Sequence, residues 1–266
     1  MRTFLGTIFS LGMVSVSMAQ VLNPSFELGG SALANWQTVG HAIPMTNTIG
    51  INPVAGSRMA MAITASDGTV NANVIPGNGV SGAAAEGSFR LRSGVIAEVG
   101  AGRPISVSGI VQSVTLEAGM IVRFRYNFLT NQTYNDGTNL SIRPDSNNND
   151  FCFVSFGGEQ TSVTKLADTF LGFVNNPNLP GGFASGFSIT ARSNPFISES
   201  GWRVGEIKAS AAGTYFLGFG VVHASAGADN GVNSALLVDD IQVVPEPATL
   251  IVLAGLAAGV ARRRKS

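Results

Sequence analysis

Residues 120–129 read Met-Ile-Val-Arg-Phe-Arg-Tyr-Asn-Phe-Leu, and their alternation restricts this chain more than any other stretch. On an extended backbone Val122, Phe124, Tyr126 and Phe128 share one side, and Ile121, Arg123, Arg125 and Asn127 share the other. A period of two puts four bulky apolar groups in one row, an arrangement a helix would scatter around its axis. The segment predicts a strand of an antiparallel sheet with one face in a core.

The rest of the chain repeats this grammar in shorter pieces, separated by Gly, Asn, Pro and Ser turns. Strands are expected at residues 21–27, 34–39, 58–64, 89–92, 105–111, 113–116, 151–156, 202–210, 214–222 and 236–244. In residues 58–64, Met59, Met61 and Ile63 share a face. Residues 77–87, rich in glycine and alanine, read as a loop, and residues 162–174 as a weak short helix. No segment has a convincing amphipathic helical pattern. Residues 130–150 form a polar excursion. Two units, residues 114–129 and 207–222, share one plan: a polar strand, an Ala-Gly turn, then an aromatic alternating strand. Both are read as hairpins. Many short strands over about 225 residues predict one large all-β sandwich or barrel.

Both ends of the chain stand outside this pattern. Residues 1–19 have a positive start at Arg2, an apolar core, and Ser17-Met18-Ala19 before Gln20. That order is the signature of a secretory signal peptide cut between Ala19 and Gln20. The last residues run Pro245-Glu246-Pro247, then an uncharged apolar run over 248–261, then cations over 262–265, among them Arg262, Arg263 and Arg264. The run has no polar face. Its 14 residues span about 21 Å as a helix, short of a hydrocarbon core of roughly 30 Å. Such a helix suits a transient stop in the inner membrane, with the cations held on the cytoplasmic side.

Formal charge sums to zero, but five of 16 cations and one of 16 anions lie in the end segments. The body therefore carries 11 cations against 15 anions, a net −4. No basic stripe exists, which argues against nucleic acid as a partner. The single cysteine, Cys152, excludes a disulfide within the chain and reads as a small buried hydrophobe. His41 and His223 are too few for a multi-histidine zinc site. Nucleophile-elbow, zincin and phosphate-loop motifs are absent from the sequence. A glycosidase needs only two carboxylates, and nothing singles out a pair among Glu86, Glu98, Asp136 and Asp145. Catalysis is not expected.

The Pro-Glu-Pro, apolar and arginine order at the C-terminus resembles the PEP-CTERM sorting signal of Gram-negative bacteria. The resemblance implies processing by exosortase, a membrane protease-transpeptidase, and delivery to the cell surface, outer envelope or extracellular matrix. The body carries a second resemblance. Residues 23–27 (Asn-Pro-Ser-Phe-Glu), Trp36, the turn at Glu117-Ala118-Gly119, Ser200-Gly201-Trp202 and residues 237–241 (Leu-Val-Asp-Asp-Ile) together look like galactose-binding-like jelly rolls. Many carbohydrate-binding modules are of this kind. The implied organisation is a signal peptide over 1–19, a jelly-roll β-sandwich over 20–244 and a sorting signal over 245–266.

In similar jelly rolls an acid of the opening strand and one of the closing strand often hold a structural calcium. Strand alternation puts Glu27 opposite the Phe26 and Leu28 face, and Asp240 opposite the face of Leu237, Asp239 and Ile241. Glu27 and Asp240 are therefore expected to meet off the core, with Asp239 at the core margin or accepting backbone hydrogen bonds. The runs at 147–150 and 229–230 read as solvated loops. Tyr134, in a loop, is the best-placed aromatic for stacking on a sugar, while Trp36 and Trp202 are expected in packing. The function expected is a non-catalytic structural or adhesive protein of the envelope, or of the exopolysaccharide matrix of a biofilm. The alternatives are an extracellular carbohydrate-binding module and, third, a polysaccharide hydrolase.

Overall fold

The structure is a computed structural model that describes residues 20–30, 32–64, 79–100, 104–130, 149–169, 172–173, 188–189, 196, 198–224 and 234–245. It is an all-β jelly-roll sandwich of two antiparallel sheets. The first, sheet A, has the order β1 (Gln37–Val39), β4 (Pro104–Leu116), β12 (Gly213–Ala224), β6 (Phe151–Gly157), β7 (Thr161–Asp168), β8 (Gly172–Phe173). Sheet B has the order β2 (His41–Met45), β3 (Met59–Ile63), β13 (Ser234–Val244), β5 (Ile121–Thr130), β10 (Ser198–Glu199), β9 (Ser188–Ile189), and β11 (Arg203–Lys208) pairs with β5 as well.

The alternation in β5 is what the sandwich is built on. Val122, Phe124, Tyr126 and Phe128 enter the core between the sheets, against Leu217, Phe219 and Val221 of β12 and Leu236 and Val238 of β13. Phe124 and Phe219 meet edge to face, with centroids 4.8 Å apart. Burying each such ring is worth roughly 2–3 kcal/mol. Cys152 is part of this core, and burial pushes its thiol far above the usual range. Trp36 packs on Phe26 at 5.6 Å and donates its indole N–H to the Asn23 carbonyl.

Each sheet is covered on its outer face too. Met59, Met61 and Ile63 do share a face of β3, and it is the outer one, packed with Ile49, Ile51, Phe196 and Leu237. Outside sheet A lie two short helices, α1 (Gly82–Ser88) and α2 (Val95–Gly100). Phe89 between them packs at 5.1 Å on Phe153, beside Ala85, Ile96 and Val107. The loop expected over 77–87 thus gives way to helix α1 from Gly82 onward. Its alanines favour a helix and the Ser81 hydroxyl caps it by accepting the Ala84 amide. Residues 89–92 are no strand, and only Leu91 bridges to Thr161.

Three other expectations are corrected. The helix expected over 162–174 is strand β7 in its first half, where Thr161, Val163 and Lys165 pair with Gly157, Ser155 and Phe153. The opening residues 21–27 form turns, with Asn23 and Phe26 in the left-handed region at φ 52 and 58. Phe26 is therefore buried while Leu28 is exposed, so they share no face. Third, the two Ala-Gly units are not hairpins. β4 and β5 lie in different sheets, as do β11 and β12, so each turn is a corner from one sheet to the other. The corners bond to each other, Gly119 N–H to the Ala209 carbonyl and Ala209 N–H to the Met120 carbonyl, both at 2.8 Å.

Candidate functional site

Two places on the described residues concentrate polar chemistry, and a third is where the closing strand ends. The first is the loop before β3. Glu27 Oε1 accepts the Ser57 and Arg58 amides at 2.8 Å each, and Oε2 accepts the Ser57 hydroxyl. These bonds, led by the one from the Ser57 hydroxyl, hold the Glu27 carboxyl below its ordinary range. Asp239 takes the same loop from the other side, its Oδ2 accepting Val54 N–H at 2.7 Å and Ala55 N–H at 2.8 Å. Its Oδ1 accepts the Asp240 amide. Burial pushes the Asp239 carboxyl up to about 6. Gly56 sits between these anchors at φ +69, where a Cβ would fall 2.4 Å from Glu27 Oε1. Only glycine allows the loop this close to the carboxylate.

The calcium expectation named Glu27, Asp240 and Asp239. The structure brings Glu27 and Asp239 onto one loop, while the Asp240 carboxylate accepts Gln242 Nε2. The alternation assumed for β13 breaks here, because its register shifts between Asp239 and Gln242 and Asp240 takes φ +49. That bulge turns Ile241 into the core and leaves Asp239 on the outer side. Among the described residues no group of three or more His, Cys, Asp or Glu gathers. Glu27 and Asp239 would be the carboxylates that hold a cation at this loop. Glu27 Oε1 and Asp239 Oδ2 each already accept two N–H bonds, whereas Glu27 Oε2 and Asp239 Oδ1 each accept one bond and keep a lone pair for a cation.

Beside these anchors lies a shallow groove of about 540 Å³, lined by Thr46, Asn47, Asn52, Pro53, Gly56 and Ser57. Its lining side chains are neutral and mostly hydrogen-bonding. Trp202, half-buried against the outer core of sheet B, donates its indole N–H to the Asn52 carbonyl at 3.0 Å. No local pattern announces this groove, since its residues come from a loop without a motif.

The second place is the pole of the sandwich where β5 ends and β6 begins. Asp150, fully buried, accepts from Ala224 N–H at 3.0 Å and from the Ser234 hydroxyl, and its Oδ1 lies 2.8 Å from His223 Nδ1. Ser234 also bonds Thr130 and Thr64. The network ties β5, β6, β12 and β13 to the end of β3. The run 147–150 was expected to be solvated, yet Asn149 and Asp150 are both buried. Asn/Asp-rich runs read as loops by composition, and only the fold reveals a buried partner 73 residues away. Residues 229–230 lie outside the described residues, as do Tyr134, Asp136 and Asp145.

The remaining acids named for catalysis have structural bonds. Glu86 accepts the Gly94 and Ile96 amides and so caps α2, and Glu98 pairs with Arg92 on the surface.

The third place is the end of β13. The strand runs to Val244, and exposed Pro245 follows with no intervening residue. Glu246, Pro247, the apolar run and Arg262, Arg263 and Arg264 lie outside the described residues, as does Ala19 at the other end, while Gln20 is exposed. Among the described residues no helix is long and apolar enough to cross a membrane.

Solved structures similar to the chain include the carbohydrate-binding module TmCBM61 in complex with β-1,4-galactotriose, at 12% identity and TM-score 0.41, over 86% of this chain and 100% of that one. A cleaved adhesin domain of Lys-gingipain from Porphyromonas gingivalis is similar at 10% identity and TM-score 0.39, over 84% and 96%. The enzymatically active domain of a bacteriophage tailspike protein is similar at 10% identity and TM-score 0.34, with only 21% of that chain covered. At these levels of similarity none of them assigns a ligand or a reaction. No curated protein matches the chain. Residues 243–265 match the family model of the PEP-CTERM protein-sorting motif. The chain is a β-sandwich whose closing strand runs directly into a PEP-CTERM sorting motif.

Proposed function

We propose that this is an exported envelope protein, processed by exosortase at its C-terminal motif, whose sandwich serves a non-catalytic structural or adhesive role at the cell surface or in the exopolysaccharide matrix. The observation that carries this reading is the sorting-motif match over 243–265, joined without a linker to a sandwich with apolar packing on both faces of each sheet. Support for a non-catalytic role comes from the acids themselves. Glu27, Glu86, Asp150 and Asp239 all accept backbone N–H bonds that fix the fold. The test is expression of the full chain in paired hosts with and without an exosortase, followed by intact mass of the cell-surface protein. Loss of the segment that follows Pro-Glu-Pro only in the exosortase host supports the reading, and identical masses in both overturn it.

A structural calcium belongs to the same reading, held at the 52–58 loop by Glu27 and Asp239, where it would stiffen the loop. Glycan binding is the second reading, favoured by the neutral groove at Asn47 and Asn52 next to Trp202. Neutral amides and hydroxyls beside an indole suit sugar hydroxyls and ring faces. A glycan array decides it: saturable binding reduced by Asn52→Ala places the sugar at this groove, and reduction by Tyr134→Ala instead places it at that tyrosine. No binding to any glycan removes the second reading.

A further inference from the structure

The closing strand is not uniform along its length. Its residues 235–238 are paired on both sides, with β3 through Ile63, Ala62, Met61 and Ala60 and with β5 through Leu129, Phe128, Asn127 and Tyr126. Pairing with β3 then stops at Val238. After the register shift, Gln242, Val243 and Val244 pair with Arg123, Val122 and Ile121 of β5 alone. Gln242 is exposed and the two valines are half-buried, whereas every residue from 234 to 239 is buried. The boundary is fixed from upstream. Asp239 is held by the Val54 and Ala55 amides, Ile241 lies in the core, and the Ile241 amide donates to the Pro24 carbonyl.

The sorting-motif match begins at Val243, so it overlaps two residues that are still in the β-ladder. An enzyme that cuts a chain holds its substrate as an extended segment, and main-chain hydrogen bonds are the usual grip on such a segment. A backbone already paired in a sheet cannot offer the same donors and acceptors a second time. With no linker between Val244 and Pro245, the upstream part of any segment gripped at the motif must come from the strand itself.

We propose that residues 242–244 form a detachable strand end, which peels from β5 at the Asp240 bulge to enter the membrane sorting enzyme ahead of Pro245. The inference rests on the sorting reading and adds to it that processing requires local opening of the folded domain. The bulge confines that opening, so that residues 234–239 stay in place and the sandwich survives cutting.

A cross-strand lock tests this. Directly opposed residues of an antiparallel pair lie within disulfide range, so Ile121→Cys with Val244→Cys can pin the strand end. In an exosortase host the oxidised double variant is expected to be processed about tenfold more slowly or less, in proportion to the lost open population. Reduction, or a short Gly-Ser linker inserted between Val244 and Pro245 of the locked variant, is expected to restore the wild-type rate. A locked variant processed at the wild-type rate overturns the inference. So does a locked variant that stays slow with the linker and when reduced, since its defect is then one of folding. A wild-type chain left unprocessed in the same host overturns the sorting reading instead, and the strand-end inference falls with it.

Discussion

Asp239 accepts the Val54 amide at 2.7 Å across 185 residues of sequence, joining the closing strand to the loop before β3. Burial raises this carboxyl to about 6 from 3.8, against the pull of the Ala55, Asp240 and Val54 amides. Between those two values the folded chain holds a proton that the unfolded chain has released. Stability contributed by this group is therefore greatest at the acidic side and is lost as pH rises from about 4 to about 6. Asp239→Asn removes that titration and turns an NH2 group toward backbone amides. It is expected to cost about 1–3 kcal/mol near pH 7, from an unsatisfied buried donor. Urea midpoints of both proteins across pH 4–7 should show the cost shrinking as pH rises. A cost independent of pH would sink the assignment.

Calcium at the same loop has a clear signature. A cation bound only by the folded protein raises Tm in a saturable way, by mass action. The domain is expected to melt higher with added calcium and lower after chelation, and Glu27→Gln should abolish the response. A Tm indifferent to calcium and chelator ends the calcium proposal and leaves Glu27 as an anchor for the Ser57 and Arg58 amides.

The Asp150 network is expected to be among the costliest to disturb. Asp150→Asn faces the Ser234 hydroxyl, the Ala224 amide and His223 Nδ1 with one fewer acceptor oxygen. Breaking a buried charged network of this kind costs about 3 kcal/mol or more. Ser234→Ala removes a hydroxyl but leaves the carboxylate, and should cost about 1–2 kcal/mol. Chemical denaturation of the three proteins ranks them, and equal costs would mean that the carboxylate is not the centre of the network.

How far the sequence could be read depended on the range of the interaction. The β5 alternation is local and strong, and the face it predicted for Val122, Phe124, Tyr126 and Phe128 is the core face. Cys152 followed from its neighbours in the same way. The corners failed, because an Ala-Gly turn looks the same whether it joins strands of one sheet or of two. What separates the cases is the pairing of Gly119 with Ala209, 90 residues apart, which no local pattern encodes. Asp239 and Asp240 failed for another reason: a bulge of one residue exchanges the faces of everything after it. The Asp150–His223 contact was invisible because its partners are far apart in sequence and come from runs that look like loops. The sorting motif, by contrast, is linear, so its order of residues sufficed.

The cover on sheet A gives the last prediction. Phe89 reaches the sheet over Gly109, where a Cβ would lie 2.6 Å from the Phe89 ring and 2.2 Å from the Phe219 carbonyl. The glycine thus makes room for both the ring and the neighbouring strand. Phe89→Ala leaves a hole between α1 and Phe153, and large-to-small changes of this size cost about 3–5 kcal/mol. Gly109→Ala attacks the same contact from below and also presses on a backbone carbonyl that cannot move aside, so it should be at least as damaging. If Phe89 is the principal tie for α1 and α2, limited proteolysis of Phe89→Ala will cut within residues 80–100 before the sandwich unfolds, while the wild type resists there. Cutting at the same rate in both proteins would mean that Glu86, through its bonds to the Gly94 and Ile96 amides, holds the helices without the ring.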